Sequence, residues 1–160
     1  MTTLKKLKVE VWIFCRLPDT GTTQFLLLRT RPDRGGFWQP VTGSVEPGET
    51  LEAAALREAQ EESGLTFSTP VRPLDRSFEY ESRGQTFHEH GFYIEASLKD
   101  GHLPAIKLDP HEHVEGKWIS APEVFPLLKF SANAEMLRTV QVQTALTRTS
   151  CARGSLRSGA

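Results

Sequence analysis

The stretch Gly43–Leu65, GSVEPGETLEAAALREAQEESGL, constrains this chain more than any other. Gly43, Pro47 and Gly48 favour a tight loop, and the Ala, Leu, Glu and Gln residues that follow Glu49 and Thr50 favour a helix. The helix is expected over about 50–63, with Thr50 or Glu49 at its start and Gly64 as its C-terminal cap. On it Glu58, Glu61 and Glu62 stand at i, i+3 and i+4, within roughly 100° of one another on one face. Leu51, Ala54 and Ala55 continue that stripe toward the N-terminus, and Leu65 lies just past its end. An inward-looking apolar face thus turns acidic for one turn.

A solvated charged face is the ordinary explanation of a Glu-rich helix. Two features count against it here. Like charges at i,i+4 cost a few tenths of a kcal/mol per pair, and these lie in line with residues that should be buried. Such a cluster needs a counter-charge, and oxygen-only ligands suit a hard divalent ion such as Mg²⁺ or Mn²⁺.

Gly43, Glu49, Arg57, Glu58, Glu61, Glu62, Gly64 and Leu65 match, at every spacing, the signature box of the Nudix hydrolases, which this chain resembles. Ala59 departs from it, where the family usually has a larger aliphatic residue. The resemblance implies an α/β fold, the Nudix α/β/α sandwich with a mixed sheet, and metal-dependent hydrolysis of a phosphoanhydride. It implies that Glu58, Glu61 and Glu62 hold or bridge the ions, Mg²⁺ or Mn²⁺, with the Gly43 carbonyl as a further possible ligand. One of these glutamates, or a carboxylate from a loop outside the box, would activate water. Arg57 would pair with Glu49, tying the loop to the helix, and Gly43 and Gly48 would serve backbone conformation or close approach.

With 160 residues and a formal charge of -1, the chain suits one domain, expected over 1–146, and offers no electrostatic case for a duplex-binding or membrane-binding surface. Cys15 and Cys151 form no metal-ligand or disulfide pattern, which fits a reducing cytoplasm. The basic N-terminal residues lead into an apolar run that Glu10 interrupts, too short for a signal peptide or a membrane span. A monomer or a homodimer is expected.

Leu7 to Cys15 reads as a strand buried on both sides over its second half, and Thr23 to Thr30 as its hairpin partner. Arg76 to Ser82 and Thr86 to Leu98 read as a second hairpin with Phe78 and Tyr80 on one face. After a loop over 100–110, Glu115 to Ser120 is a short strand, and a short helix starts at Ala121 with Ser120 as its N-cap. The last helix is expected over 131–145, followed from Thr147 by a polar, disordered tail.

Nudix proteins often take one more acidic group from a loop such as Asp109–Glu115; Glu112 is the candidate, with Glu115 behind it. Glu58, Glu61, Arg57 and Glu112 form the candidate catalytic set. His111 and His113 lack the spacing and third ligand of a zinc site. For substrate contacts the candidates are Trp38, Phe37, Arg29, Tyr80 and His90, with Phe78 and Phe87 as further rings for stacking.

Within the family, Phe37–Glu49 and the Glu112–Trp118 stretch resemble the bacterial dihydroneopterin triphosphate pyrophosphatases. That implies release of pyrophosphate from a small triphosphate on a pterin or purine-like base, in folate synthesis. An RNA 5′-pyrophosphohydrolase or dinucleoside polyphosphate hydrolase is the nearest alternative; those usually have a Pro-x-Gly-Gly approach to the box, whereas this chain has Val41-Thr42-Gly43-Ser44. A non-catalytic nucleotide-sensing module is a third, against which the intact glutamates argue.

Overall fold

The computed structural model describes residues 4–155, with side chains as far as residue 145. Its centre is β1 (Lys6–Arg16), in which every residue from Val9 to Cys15 is buried, as the run of β-branched and aromatic residues demands. β1 runs parallel to β6 (Gln85–Glu95) and antiparallel to β2 (Thr23–Thr30) near its C-terminal end. Toward its N-terminal end it leaves β2 and pairs with β4 (Val41–Ser44), Lys8 opposite Ser44 and Val11 opposite Val41. β2 also carries β3 (Trp38–Gln39) and β7 (His113–Ser120), and β5 (Arg72–Ser82) closes the far edge against β6.

Alternation along β1 builds two cores. Val9, Val11, Ile13 and Cys15, with Phe92 and Ile94 of β6, pack against Ala54, Ala55 and Ala59 of α1 (Leu51–Ser63). Trp12, Phe14, Phe25 and Tyr93 face the other way, toward Val124 of α2 (Ala121–Val124) and Met136, Leu137 and Val140 of α3 (Ser131–Ser155). Helices therefore cover both faces of a mixed sheet, the expected α/β/α sandwich. Ala59, the departure from the box, is fully buried, and its small side chain belongs to this close helix–sheet contact.

Several boundaries differ from expectation. β5 begins at Arg72 rather than Arg76, because a bulge between Pro73 and Ser77, with Asp75 at φ 51°, breaks the alternation that marks a strand. β6 stops at Glu95, short of Leu98, and β7 starts at His113. Ser120 precedes α2 but its side chain makes no capping hydrogen bond. The α3 bounds pass Ala145; the side chains of the expected tail, and residues 156–160 entirely, lie outside those described.

Gly91 of β6 fixes how α3 sits, since a Cβ there would collide with the Met136 sulfur. Met136 is fully buried. Met136→Ala is expected to lower unfolding free energy by about 2–5 kcal/mol, read from denaturant titration, by opening a cavity between helix and sheet.

Candidate active site

The loop between β4 and α1 is closed at both ends by the chemistry its sequence supplies. Thr50 caps the helix, its Oγ1 accepting from the Ala53 N–H at 3.1 Å. Gly64 ends it at φ 71°, donating its N–H to the Gln60 carbonyl. Arg57 ties the loop down. Its Nε and Nη2 donate to the two Glu49 carboxylate oxygens at 2.8 and 2.9 Å, and Nη2 also reaches the Ser44 carbonyl at 2.9 Å. Glu49 in turn accepts from the Glu46 N–H.

Arg57 also sets the acidic turn. Its Nη1 donates to Glu58 at 2.8 Å and to Glu61 at 3.2 Å. Gly43 lies so close to Glu58 that a Cβ would overlap the carboxyl group, which explains a glycine in the middle of a strand. Burial raises the Glu58 pKa, an effect Arg57 opposes.

Glu62 has no such partner. It is 6% exposed, its Oε2 has no hydrogen-bond donor, and its pKa is pushed up to about 9 by burial first and then by the charges of Glu58 and Glu112. Among the described residues no three His, Cys, Asp or Glu side chains converge as a closed metal cage. Glu58 and Glu61 are instead drawn to Arg57.

These carboxylates border an open cleft of about 1060 Å³, with Glu112 on its far side and the cations of Lys6, Lys8, Arg34 and Arg83 around it. Glu112 is held by Arg34 at 2.8 Å. A second cavity, of about 590 Å³, shares Lys8, Phe37, Gln39 and Thr42 with the first. Phe78, Tyr80 and Phe130 give it aromatic walls, and Glu89 and Asn133 add polar groups.

Of the candidates for substrate contact, Phe37, Tyr80 and Phe78 line this cavity, while Phe87 borders the larger cleft. Three other candidates for substrate contact lie elsewhere. Trp38 alternates away from Phe37 and Gln39 and packs with the core around α3, under Lys117. Arg29 is exposed and spends its guanidinium on the Gly36 carbonyl and Glu115. His90 shares with His88 the sheet face opposite Glu89, their rings 4.2 Å apart.

Glu115 pairs with Arg29 and Lys117, outside the cleft lining. His113 is buried and shares a hydrogen bond with Gln39, while His111 is exposed. The cations Lys6, Lys8, Arg34 and Arg83 were not foreseen, since each lies outside the box and none has a distinctive spacing. The burial of Glu10 and Glu89 was also missed. A single acid inside the apolar run of β1 was its only signal, and it looked like an interruption.

An acidic helix turn on one face of a mixed sheet thus borders a cleft lined by both carboxylates and cations. The chain matches the NUDIX domain over residues 6–140 and belongs to that family of hydrolases. The dihydroneopterin triphosphate diphosphatase of Escherichia coli K12 is 29% identical over 150 residues, covering 88% of this chain and 96% of that protein. The mouse asymmetrical bis(5′-nucleosyl)-tetraphosphatase is 34% identical, covering 77% and 80%. An octanoyltransferase of Myxococcus xanthus is 34% identical over 120 residues, but this chain spans only 31% of its length. The solved E. coli dihydroneopterin triphosphate pyrophosphohydrolase superposes with a TM-score of 0.64 at 27% identity, covering 84% of this chain and 94% of that one. Among the described residues no helix is long and apolar enough to cross a membrane.

The Arg57 hydrogen bonds, followed by that from the Glu46 backbone, lower Glu49 from an ordinary 4.5 to about 2. A depressed carboxylate stabilises fully above its ordinary pKa and loses that contribution as pH falls through the depressed one. The difference in Tm between wild type and Glu49→Gln should therefore be largest above pH 4.5 and shrink toward pH 2, as read by thermal denaturation across that window.

Proposed function

We propose that this chain is a metal-dependent pyrophosphohydrolase that converts a nucleoside-triphosphate-like substrate, dihydroneopterin triphosphate or a deoxynucleoside triphosphate, to the monophosphate and pyrophosphate. The observation that carries this is Glu62, a buried carboxyl with an unpartnered oxygen beside Glu58 at the end of a cation-lined cleft. Left alone, such a group is costly to ionise; a divalent cation makes the ionised form favourable. The donors are all oxygens, which fits Mg²⁺ or Mn²⁺.

Glu58, Glu61 and Glu62, with the Gly43 carbonyl and Glu112, are the groups that would hold the metal. Bound there, it would supply charge neutralisation on the phosphates and acidify a water molecule. Lys6, Lys8, Arg34 and Arg83 meet the remaining phosphate charge. Arg57 positions Glu58 and Glu61 rather than touching substrate. The exposure of the Glu61 side chain, 59%, supports its role as the base that takes a proton from water; Glu112, also on the cleft lining, is the alternative base.

The aromatic cavity supports a fused-ring base at the other end, which suits both pterin and purine. The mouse relative supports a second reading, hydrolysis of a dinucleoside polyphosphate. Product analysis with Mg²⁺ separates them, comparing dihydroneopterin triphosphate, deoxynucleoside triphosphates, ADP-ribose, diadenosine polyphosphates and triphosphorylated RNA. Pyrophosphate release is expected from the first two. Cleavage of none would favour a module without chemistry.

Glu58→Gln, Glu61→Gln and Glu62→Gln should each lower Mg²⁺-dependent turnover by about 10²–10⁴-fold while circular dichroism stays that of the wild type. Near-normal turnover in all three variants would remove the metal assignment.

A further inference from the structure

The aromatic cavity has an acidic floor that the phosphate chemistry does not use. Glu89 of β6 lines it and is 4% exposed. Glu10 of β1 lies behind it on the same sheet face and is 0% exposed. Directly beside Glu10 on β6 is Gly91, so no side chain there comes between Glu10 and its diagonal neighbour Glu89. The Trp12 Nε1–H donates to Glu10 Oε1 at 2.9 Å, while Glu10 Oε2 has no donor. Phe78 stands opposite Glu89 across the β5–β6 ladder, and Tyr80 stacks on Phe87 with ring centres 5.3 Å apart.

Two neighbouring buried carboxyls resist ionising together, and Lys8, the residue paired with Glu89 across the β1–β6 ladder, favours the charge on Glu89. Burial and the neighbouring Glu89 push Glu10 strongly toward its neutral acid, which can then donate a proton toward Glu89. Glu89, raised mainly by burial, is helped back toward the anion by Glu10, Lys8 and Tyr80. Glu89 therefore offers this cavity a buried carboxyl braced by Glu10 and Tyr80 between aromatic walls, with Glu79 and Glu81 also on the lining.

A carboxylate has two acceptor oxygens and no donor. It is matched by a flat ring carrying two adjacent N–H donors, which is the edge formed by a ring N–H and an exocyclic 2-amino group. Guanine and pterins both have that edge. Adenine sets a ring-nitrogen lone pair beside its amino group and would face the carboxylate with repulsion.

We propose that Glu89, braced by Glu10, is the specificity-determining residue that selects a 2-amino-oxo heterocycle, guanine or pterin, stacked among Phe37, Phe78 and Tyr80. This rests on the pyrophosphohydrolase reading for the substrate's triphosphate, because the two cavities share Lys8, Phe37, Gln39 and Thr42. Base recognition itself is separable from bond cleavage.

The test is ligand-detected NMR titration of the intact protein in EDTA, where no hydrolysis takes place, with GMP, IMP, AMP and neopterin. GMP is expected to bind about tenfold or more tighter than AMP, and IMP, which lacks only the 2-amino group, to fall between them. Glu89→Gln should bring GMP within about twofold of AMP, by weakening GMP while AMP binds no more weakly than to the wild type. Tighter binding of neopterin than of GMP, or the reverse, identifies the source of the shared edge. Equal binding of GMP, IMP and AMP by the wild type overturns the proposal, and so does a Glu89→Gln variant that weakens all ligands alike. Should that variant fail to fold, the wild-type comparison of GMP with IMP decides alone. Selective binding without turnover on any triphosphate would sink the pyrophosphohydrolase reading and leave this one standing.

Discussion

One guanidinium organises the acidic end of this protein. Arg57 reaches Glu49, Glu58, Glu61 and the Ser44 carbonyl at once, so the loop, the strand that precedes it and the helix that follows share a single anchor. A planar fork with donors in fixed directions can do this where a lysine could not, because the pairing to Glu49 is two-pronged. The anchor also explains why an otherwise repulsive run of glutamates is tolerated on a helix that packs against the sheet. Glu58 and Glu61 lean on Arg57, while Glu62 is buried out of its reach with one oxygen unpartnered.

That arrangement was largely legible in the sequence because it is local. Helix periodicity and the Gly–Pro–Gly loop marked the loop and helix; the Arg57–Glu49 pairing was expected only from the resemblance to the Nudix box, and the Arg57 contacts to Glu58 and Glu61 were not expected. The strands of β1, β2 and the α1 helix were legible for the same reason. The start of β5 was not, since its bulge at Asp75 removes the alternation on which strand recognition depends.

The substrate-facing side chains were harder, because membership of a cleft is decided by long-range pairing. Phe37 and Trp38 are adjacent in sequence, yet the pleat sends one into the cavity and the other under Lys117. Arg29, a candidate for substrate contact, hydrogen-bonds the Gly36 carbonyl and lies beside Glu115 on the strand paired with its own. Arg34 and Glu112 are far apart in sequence and meet only because β2 and β7 bring their flanking loops together.

The two buried acidic clusters resolve the same problem differently. At the helix, Glu62 has like charges for neighbours and belongs to the lining of an open cleft. In the sheet, Glu10 and Glu89 sit in the opposite core, where Trp12 and Tyr80 supply hydrogen-bond donors and Lys8 a neighbouring positive charge. The helix cluster thus borders the open cleft and the sheet cluster the aromatic cavity, two ends joined by the residues that the cavities share. Lys8 lies on β1 between them and lines both cavities, so the strand at the centre of the fold is also what holds the two ends at a fixed separation.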